Sequence, residues 1–205
     1  MAPLLYHGRM NVRAIIENAG LPRRGFTVKE VERMSEVGLL RAEERVELIG
    51  GELIPMNPKG SRHEVLKLAI NLRWGRQHPA DTVFIPETTF RLSQDTYLEP
   101  DFLVFPRSLA IADIRAENIL LAVELSDSSL GFDLGPKALV YAHFGIRELW
   151  VIDATTNTIH VHRDPADGRY QSITPWSADD LVVPALAPSA FALRLADLDL
   201  GEGSR

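Results

Sequence analysis

The stretch "NILLAVELSD" (118–127) constrains this chain more than any other. Ile119 to Val123 is an unbroken apolar run of strand type, and Glu124 follows it directly. A strand this apolar is buried, and a carboxylate within it is costly to ionise. Glu124 therefore needs a charged partner, a bound metal or an exit to solvent. A second apolar strand, in "EPDFLVFP" (99–106), carries Asp101 at its edge, just after Pro100. If the two strands are neighbours, their carboxylates converge on one point, and paired oxygens of this kind suit Mg²⁺ or Mn²⁺.

The helix expected after Glu124 adds a basic group. Asp133 and Lys137 are four residues apart and share one of its faces. From there Lys137 can reach the carboxylates and orient or deprotonate a water. Plainer roles stand beside these. Asp101 can cap a turn after the proline, Glu124 can pair with Arg147, and Asp133 with Lys137 can form an ordinary surface pair.

The rest of the pattern is that of a mixed fold. "TVKEVERMSEVG" reads as a short helix with a Thr27–Glu30 capping box and Gly38 as its stop. "RVELIGGELIPM" reads as a hairpin turning at Gly50-Gly51. Ser61 and Glu64 suggest a second capping box, opening a helix to about Arg76 with Val65, Leu68, Ala69, Leu72 and Trp74 as its apolar face. Strands are expected near 83–89, 97–105 and 118–126. A helix capped by Asp133 should run to about Phe144, with Pro136 in its first turn and Gly145 ending it. "ELWVID" (148–153) is a buried strand, and "TIHVHRDPADGRYQSI" is a hairpin. Short strands are expected near 181–183 and 191–195. The order of elements predicts an α/β (α+β) domain, a mixed sheet flanked by helices.

Composition narrows the function classes. There is no cysteine, which removes disulfides, thiolate nucleophiles and cysteine metal sites. A net charge of −6 is unlike a simple basic nucleic-acid binder, so DNA affinity would need a local positive face. Lys59, Arg62, Lys67, Arg73 and Arg76 are the candidates for that face, with a solvated helix surface as the plainer reading. No apolar stretch approaches the roughly 20 residues of a membrane span. The N-terminal twenty residues carry no signal-peptide core, and a cytoplasmic location is the expectation.

The blocks "EPD" plus strand, "VELSDSS" and "DLGPKALVYAHFGIRELWVID", with "RVELIGGELIPMNPKGSRHEVL" before them, resemble the Uma family of the PD-(D/E)XK restriction-endonuclease-like superfamily. The resemblance covers about residues 27–155. It implies one restriction-endonuclease-like domain over 1–205, with a core at about 60–155. An N-terminal helix-and-hairpin extension (1–59) and a C-terminal β-rich hairpin region (156–205) flank that core. By the resemblance, Asp101 and Glu124 are the two acids of the motif. The superfamily's lysine would stand at Ser126; the Uma pattern moves it to the next helix, where Lys137 matches, and leaves the backbone carbonyl of Leu125 open to a metal. His63 matches a histidine of the family pattern, and a neutral imidazole there can contact a phosphate, ligate a metal or make a structural hydrogen bond. Glu47 matches an acid of the opening block, a third ligand or a hairpin charge. His160 and His162 alternate on a strand face expected to be solvated, and Tyr141 and Trp150 are expected in the core.

The implied activity is Mg²⁺- or Mn²⁺-dependent endonucleolytic hydrolysis of DNA, with a homodimer as an option. The alternatives are a non-catalytic binding or assembly protein that keeps the fold, and an enzyme acting on another phosphate ester.

Overall fold

The computed structural model describes residues 24–41 and 43–200. The N-terminal stretch read above for a signal peptide lies outside them. Thr27 caps helix α1 (Val28–Glu36) as expected: the Glu30 N–H donates to Thr27 Oγ1 at 3.3 Å, and the Glu30 carboxylate accepts from the Thr27 N–H at 2.9 Å. Strands β1 (Val46–Ile49) and β2 (Glu52–Pro55) form the expected hairpin. Gly50 and Gly51 both take positive φ, 56° and 80°, as a two-residue turn of matching twist requires. Gly51 has a second constraint, because a Cβ there would lie 2.7 Å from Gly25 Cα. The Phe26 N–H donates to the Gly51 carbonyl across that contact.

Helix α2 (Ser61–Gln77) departs from expectation twice. Its N-cap is Gly60, and the second capping box does not form. The Glu64 carboxylate is instead taken by Lys67 Nζ at 2.8 Å. The buried face is His63, Leu66, Ala69, Ile70 and Trp74, whereas Leu68 and Leu72 are 57% and 47% exposed. The helix has more apolar residues than one face can bury, and Trp74 selects among them. Its indole stacks edge-on against Phe84, Phe102 and Phe191, with centroids 5.3–5.7 Å away.

Two sheets follow. Strands β3 (Thr82–Pro86), β6 (Phe102–Pro106), β7 (Leu121–Ser126), β8 (Glu148–Asp153), β9 (Thr158–Ala166) and β10 (Arg169–Trp176) form a six-stranded sheet in the order β10-β9-β8-β7-β6-β3. Strands β4 (Phe90–Arg91) and β5 (Tyr97–Leu98) join the first hairpin as a four-stranded sheet, β2-β1-β5-β4. The stretch expected as one strand at 97–105 is thus two strands in different sheets. Pro100 cannot donate to a ladder, and the chain crosses between the sheets at residues 99–101.

In the larger sheet only β7 and β8 pair in parallel. A parallel pair needs a crossover, and residues 127–147 provide it. The helical path starts at Leu130–Phe132, earlier than expected, so Asp133 is not its cap. A wide π turn, Asp133–Lys137, leads into α3 (Ala138–His143). Pro136 has no N–H and Gly135 leaves helical geometry (φ −105°, ψ −106°), which breaks the regular ladder there. The widened turn leaves both Asp133 and Lys137 buried.

The sheet is covered on both faces, which is why β7 and β8 are buried end to end. Leu121, Val123 and Leu125 pack with α2, Phe191 and Leu193; Ala122 and Val151 pack with Tyr141 and Ala142 of α3. By alternation Glu124 belongs to the α3 side. His162 is also on that side and, against expectation, buried: it stacks edge-on with Tyr170 at 5.4 Å. Helix α3 packs against β9 and β10 on this face. After β10 the chain makes one bridge, Val182 with Leu193, and short 3₁₀ turns where two strands were expected. No helix among the described residues is long and apolar enough to cross a membrane.

Gly38 and Gly51 both have positive φ, but only Gly51 is crowded, since a Cβ at Gly38 meets nothing within 4 Å. Gly38→Ala should therefore cost ~1 kcal/mol and Gly51→Ala at least twice that. Urea unfolding of the two variants measures the difference; equal losses would remove the steric argument.

Candidate active site

The crossing at residues 99–101 sets the position of the site. The β6–β7 register pairs Phe102 with Val123, and continuing it by one residue sets Asp101 opposite Glu124. Strand β1 reaches the same place from the other sheet, where the Glu99 N–H donates to Glu47 Oε1 at 2.9 Å. The crossover brings Lys137 over both. A cleft of about 190 Å³ opens here, lined among others by Glu47, His63, Asp101, Glu124, Leu125 and Lys137.

Lys137 Nζ lies 2.9 Å from Glu124 Oε1 and 2.9 Å from Glu47 Oε1, with all three side chains buried. Burial alone would lower the lysine's pKa, but the charges of Glu124, Glu47 and Asp133 raise it, so the amine stays an ammonium. It can orient a water or neutralise developing charge, and it is not a base for deprotonating one. Burial raises the Glu124 carboxyl well above its usual range, as do the neighbouring acids Asp133, Asp101 and Glu47, with Lys137 opposing them. One ammonium shared between two carboxylates leaves the surplus on Glu124. The Tyr141 hydroxyl donates to the same oxygen, Glu124 Oε1. Burial holds that hydroxyl protonated and therefore a donor.

Asp101 is buried but differently supported. Its Oδ2 accepts the Leu125 N–H at 2.8 Å, and its Oδ1 faces His63 Nε2 at 3.0 Å and Lys59 Nζ at 2.9 Å. Burial raises its pKa, yet the His63 hydrogen bond and charge, then Lys59 and the Leu125 N–H, bring it down to about 2. Asp133 accepts from both Ser126 Oγ (2.6 Å) and Ser129 Oγ. Burial raises its pKa against Lys137 and these two hydroxyls.

The structure thus brings together Glu47, His63, Asp101, Glu124 and Lys137. Glu47 is no hairpin surface charge, and Glu124 does not meet Arg147, which is exposed. The five basic residues proposed for DNA do not gather into one rim. Lys59 and Lys67 are only 15% and 17% exposed, and both bind Glu87. Arg62 is exposed at the start of α2. Arg73 and Arg76 stand roughly 15–20 Å further along the helix. Sequence reasoning missed the roles of Tyr141, read only as core, and of Glu87, read not at all.

The donor chemistry suits a hard divalent cation. Carboxyl groups outnumber ammonium groups, with Glu47, Asp101, Glu124 and Asp133 against Lys59 and Lys137. Among the described residues, however, no three acid or histidine side chains stand as a ready-made shell. Ammonium groups are interposed at both principal acids.

The depressed Asp101 pKa has a consequence for stability. A carboxyl at about 2 when folded, against 3.8 as reference, stabilises the fold above pH 4 by about 2 kcal/mol. That contribution is lost as pH falls from about 4 to 2. Urea unfolding at pH 5 and pH 3 should show a smaller acid loss for Asp101→Asn than for wild type; parallel slopes would contradict it.

Comparison with known proteins agrees with this architecture. The family model described as "Uma2: Putative restriction endonuclease" matches residues 28–196. No curated protein matches the sequence. Among solved structures, the chain is similar to one titled "a putative nuclease belonging to DUF820", from Anabaena variabilis ATCC 29413. The TM-score is 0.62 and the identity 22%, covering 84% of this chain and 96% of the other. At that identity the likeness is one of fold.

Proposed function

The chain belongs to the Uma2 family, and we propose that it is a divalent-metal-dependent nuclease that hydrolyses DNA phosphodiester bonds. The observation that carries this reading is the convergence of Asp101, Glu124 and Lys137 in one cleft between the two sheets. Asp101, Glu124 and the Leu125 carbonyl would hold the ion. What Mg²⁺ or Mn²⁺ supplies in such a site is polarisation of the phosphodiester and a water of lowered pKa.

The protein's own groups do the rest. The Lys137 ammonium, held between Glu47 and Glu124, directs a hydrogen bond and a positive charge at the reacting centre. Glu47 acts through Lys137, fixing where the amine can point. Tyr141 orients the Glu124 carboxyl, and His63 orients that of Asp101. DNA would be held by cations outside the cleft, of which Arg62 and Arg76 are the exposed ones among the five basic residues named above.

A second reading, a non-catalytic binding protein on the same fold, has one observation in its favour: the principal acids are already paired with ammonium groups.

Two expectations separate the readings. Purified protein should nick or cut DNA only with Mg²⁺ or Mn²⁺. Asp101→Asn and Glu124→Gln should each lose on the order of 100-fold or more while remaining folded, and Lys137→Ala should lose as much while also melting at a lower temperature. A plasmid-nicking assay with circular dichroism of each variant measures this. Persistent cutting by Glu124→Gln would point to a contaminant, and no cutting of plasmid, linear or single-stranded DNA would favour the binding protein.

Metal uptake should also release protons. The Glu124 pKa is raised, so a cation there displaces a proton, increasingly so as the pH becomes mildly acid. Calorimetry in buffers of different ionisation enthalpy counts those protons, and melting temperature should rise with Mg²⁺. Melting curves that ignore millimolar Mg²⁺ and Mn²⁺ would remove the metal from the proposal.

A further inference from the structure

Lys59 belongs to the loop between β2 and α2, and its amine enters the cleft wall. There it meets Asp101 Oδ1 at 2.9 Å and also binds Glu87. The other Asp101 oxygen is committed to the Leu125 N–H. The oxygen left to ligate a cation therefore already carries the Lys59 ammonium, with His63 Nε2 at 3.0 Å as its other partner. Glu87 is itself unusual: it is a non-glycine residue at φ 49°, and its N–H donates to the Asp101 carbonyl. Backbone in that region costs on the order of 1 kcal/mol or more and persists where surrounding structure holds it. Here it brings a carboxylate within reach of the same Lys59 amine that meets Asp101. Lys67 Nζ meets the same Glu87 oxygen at 3.0 Å, but no contact joins it to Asp101.

We propose that Lys59 is a built-in competitor for the divalent cation at Asp101, a positioning residue that sets metal affinity by having to leave the carboxylate before an ion can bind. The inference rests on the metal-dependent reading of the site. In the metal-free protein the Lys59 ammonium, beside His63 at the same oxygen, helps to keep a buried Asp101 ionised and its side chain in place. A divalent ion and an ammonium at one buried oxygen repel each other strongly, so ion binding releases Lys59 from Asp101. Glu87 then retains the amine at the mouth, where a cation can meet a phosphate of the substrate. The protein would thus exchange its internal charge for a metal without leaving a buried carboxylate uncompensated at either stage.

The test is a Mn²⁺ titration of the full chain at neutral pH, by calorimetry and by the electron paramagnetic resonance signal of free Mn²⁺. Wild type is compared with Lys59→Met, Lys59→Arg and Lys67→Met, each checked for folding by its melting curve. If Lys59 occupies Asp101 about nine-tenths of the time, Lys59→Met should tighten Mn²⁺ binding ~10-fold. Lys59→Arg keeps a cation and should stay near wild type. Lys67→Met, which removes a like charge without touching Asp101, should change affinity by less than ~2-fold. Lys59→Gln replaces Lys59→Met if the methionine variant does not fold.

Equal tightening in Lys59→Met and Lys67→Met would overturn the inference, because that is the signature of general electrostatics. Unchanged or weaker binding in Lys59→Met would overturn it as well, and in both cases the metal site would survive. Absence of Mn²⁺ binding in wild type and Lys59→Met alike would instead bring down the metal-dependent reading itself.

Discussion

The ammonium of Lys137, held at 2.9 Å by both Glu47 and Glu124, is the interaction on which the rest of this architecture depends. Glu47 comes from the small sheet, Glu124 from the centre of the large one, and Lys137 from the crossover between β7 and β8. A single buried cation therefore joins three separate parts of the chain. Removing it would leave two carboxyl groups in a dry site, which a protein tolerates poorly. The local irregularities serve this contact: the π turn, the non-helical Gly135 and Pro136 all lie in the few residues that bring the amine inward. A regular helix from Asp133 would follow a tighter path.

Such a centre is a compromise between folding and chemistry. Buried carboxyls must be compensated if the chain is to fold, and the same carboxyls must accept a cation if the proposed chemistry is to occur. Ammonium groups resolve the first demand without preventing the second, provided that one can move. The two lysines differ in this respect. Lys137 is enclosed, with acids on several sides, whereas Lys59 is on a loop at the cleft edge with Glu87 as a second anchor. The one suits a fixed charge and the other an exchangeable one.

The acidic character of the whole chain is compatible with this arrangement. The proposed chemistry needs negative charge at the ion and positive charge only where phosphate approaches. The local networks show both. Glu64, Lys67, Glu87, Lys59 and Asp101 form a chain of alternating sign from the surface of α2 into the cleft. Cations tied up in this way contribute less to long-range attraction of DNA than a free basic face would.

What the sequence by itself determined is local or periodic. The Thr27 cap, the Gly50-Gly51 turn, the buried runs of β7 and β8 and the family blocks around Asp101, Glu124 and Lys137 depend on residues close together in the chain. Each is legible because turn geometry and alternation act over a few residues. The tertiary structure decided what depends on partners distant in sequence. It chose Trp74 and Leu66 over Leu68 and Leu72 as the inner face of α2, because only one side of that helix meets the Phe84–Phe102–Phe191 cluster. It split the 97–105 run between two sheets, buried His162 under Tyr170, and turned the Tyr141 hydroxyl onto Glu124. It also placed Lys59 on Asp101, 42 residues away. Spacing along a chain cannot report such contacts, since charges and rings meet through packing of elements whose relative position is set only when the core closes.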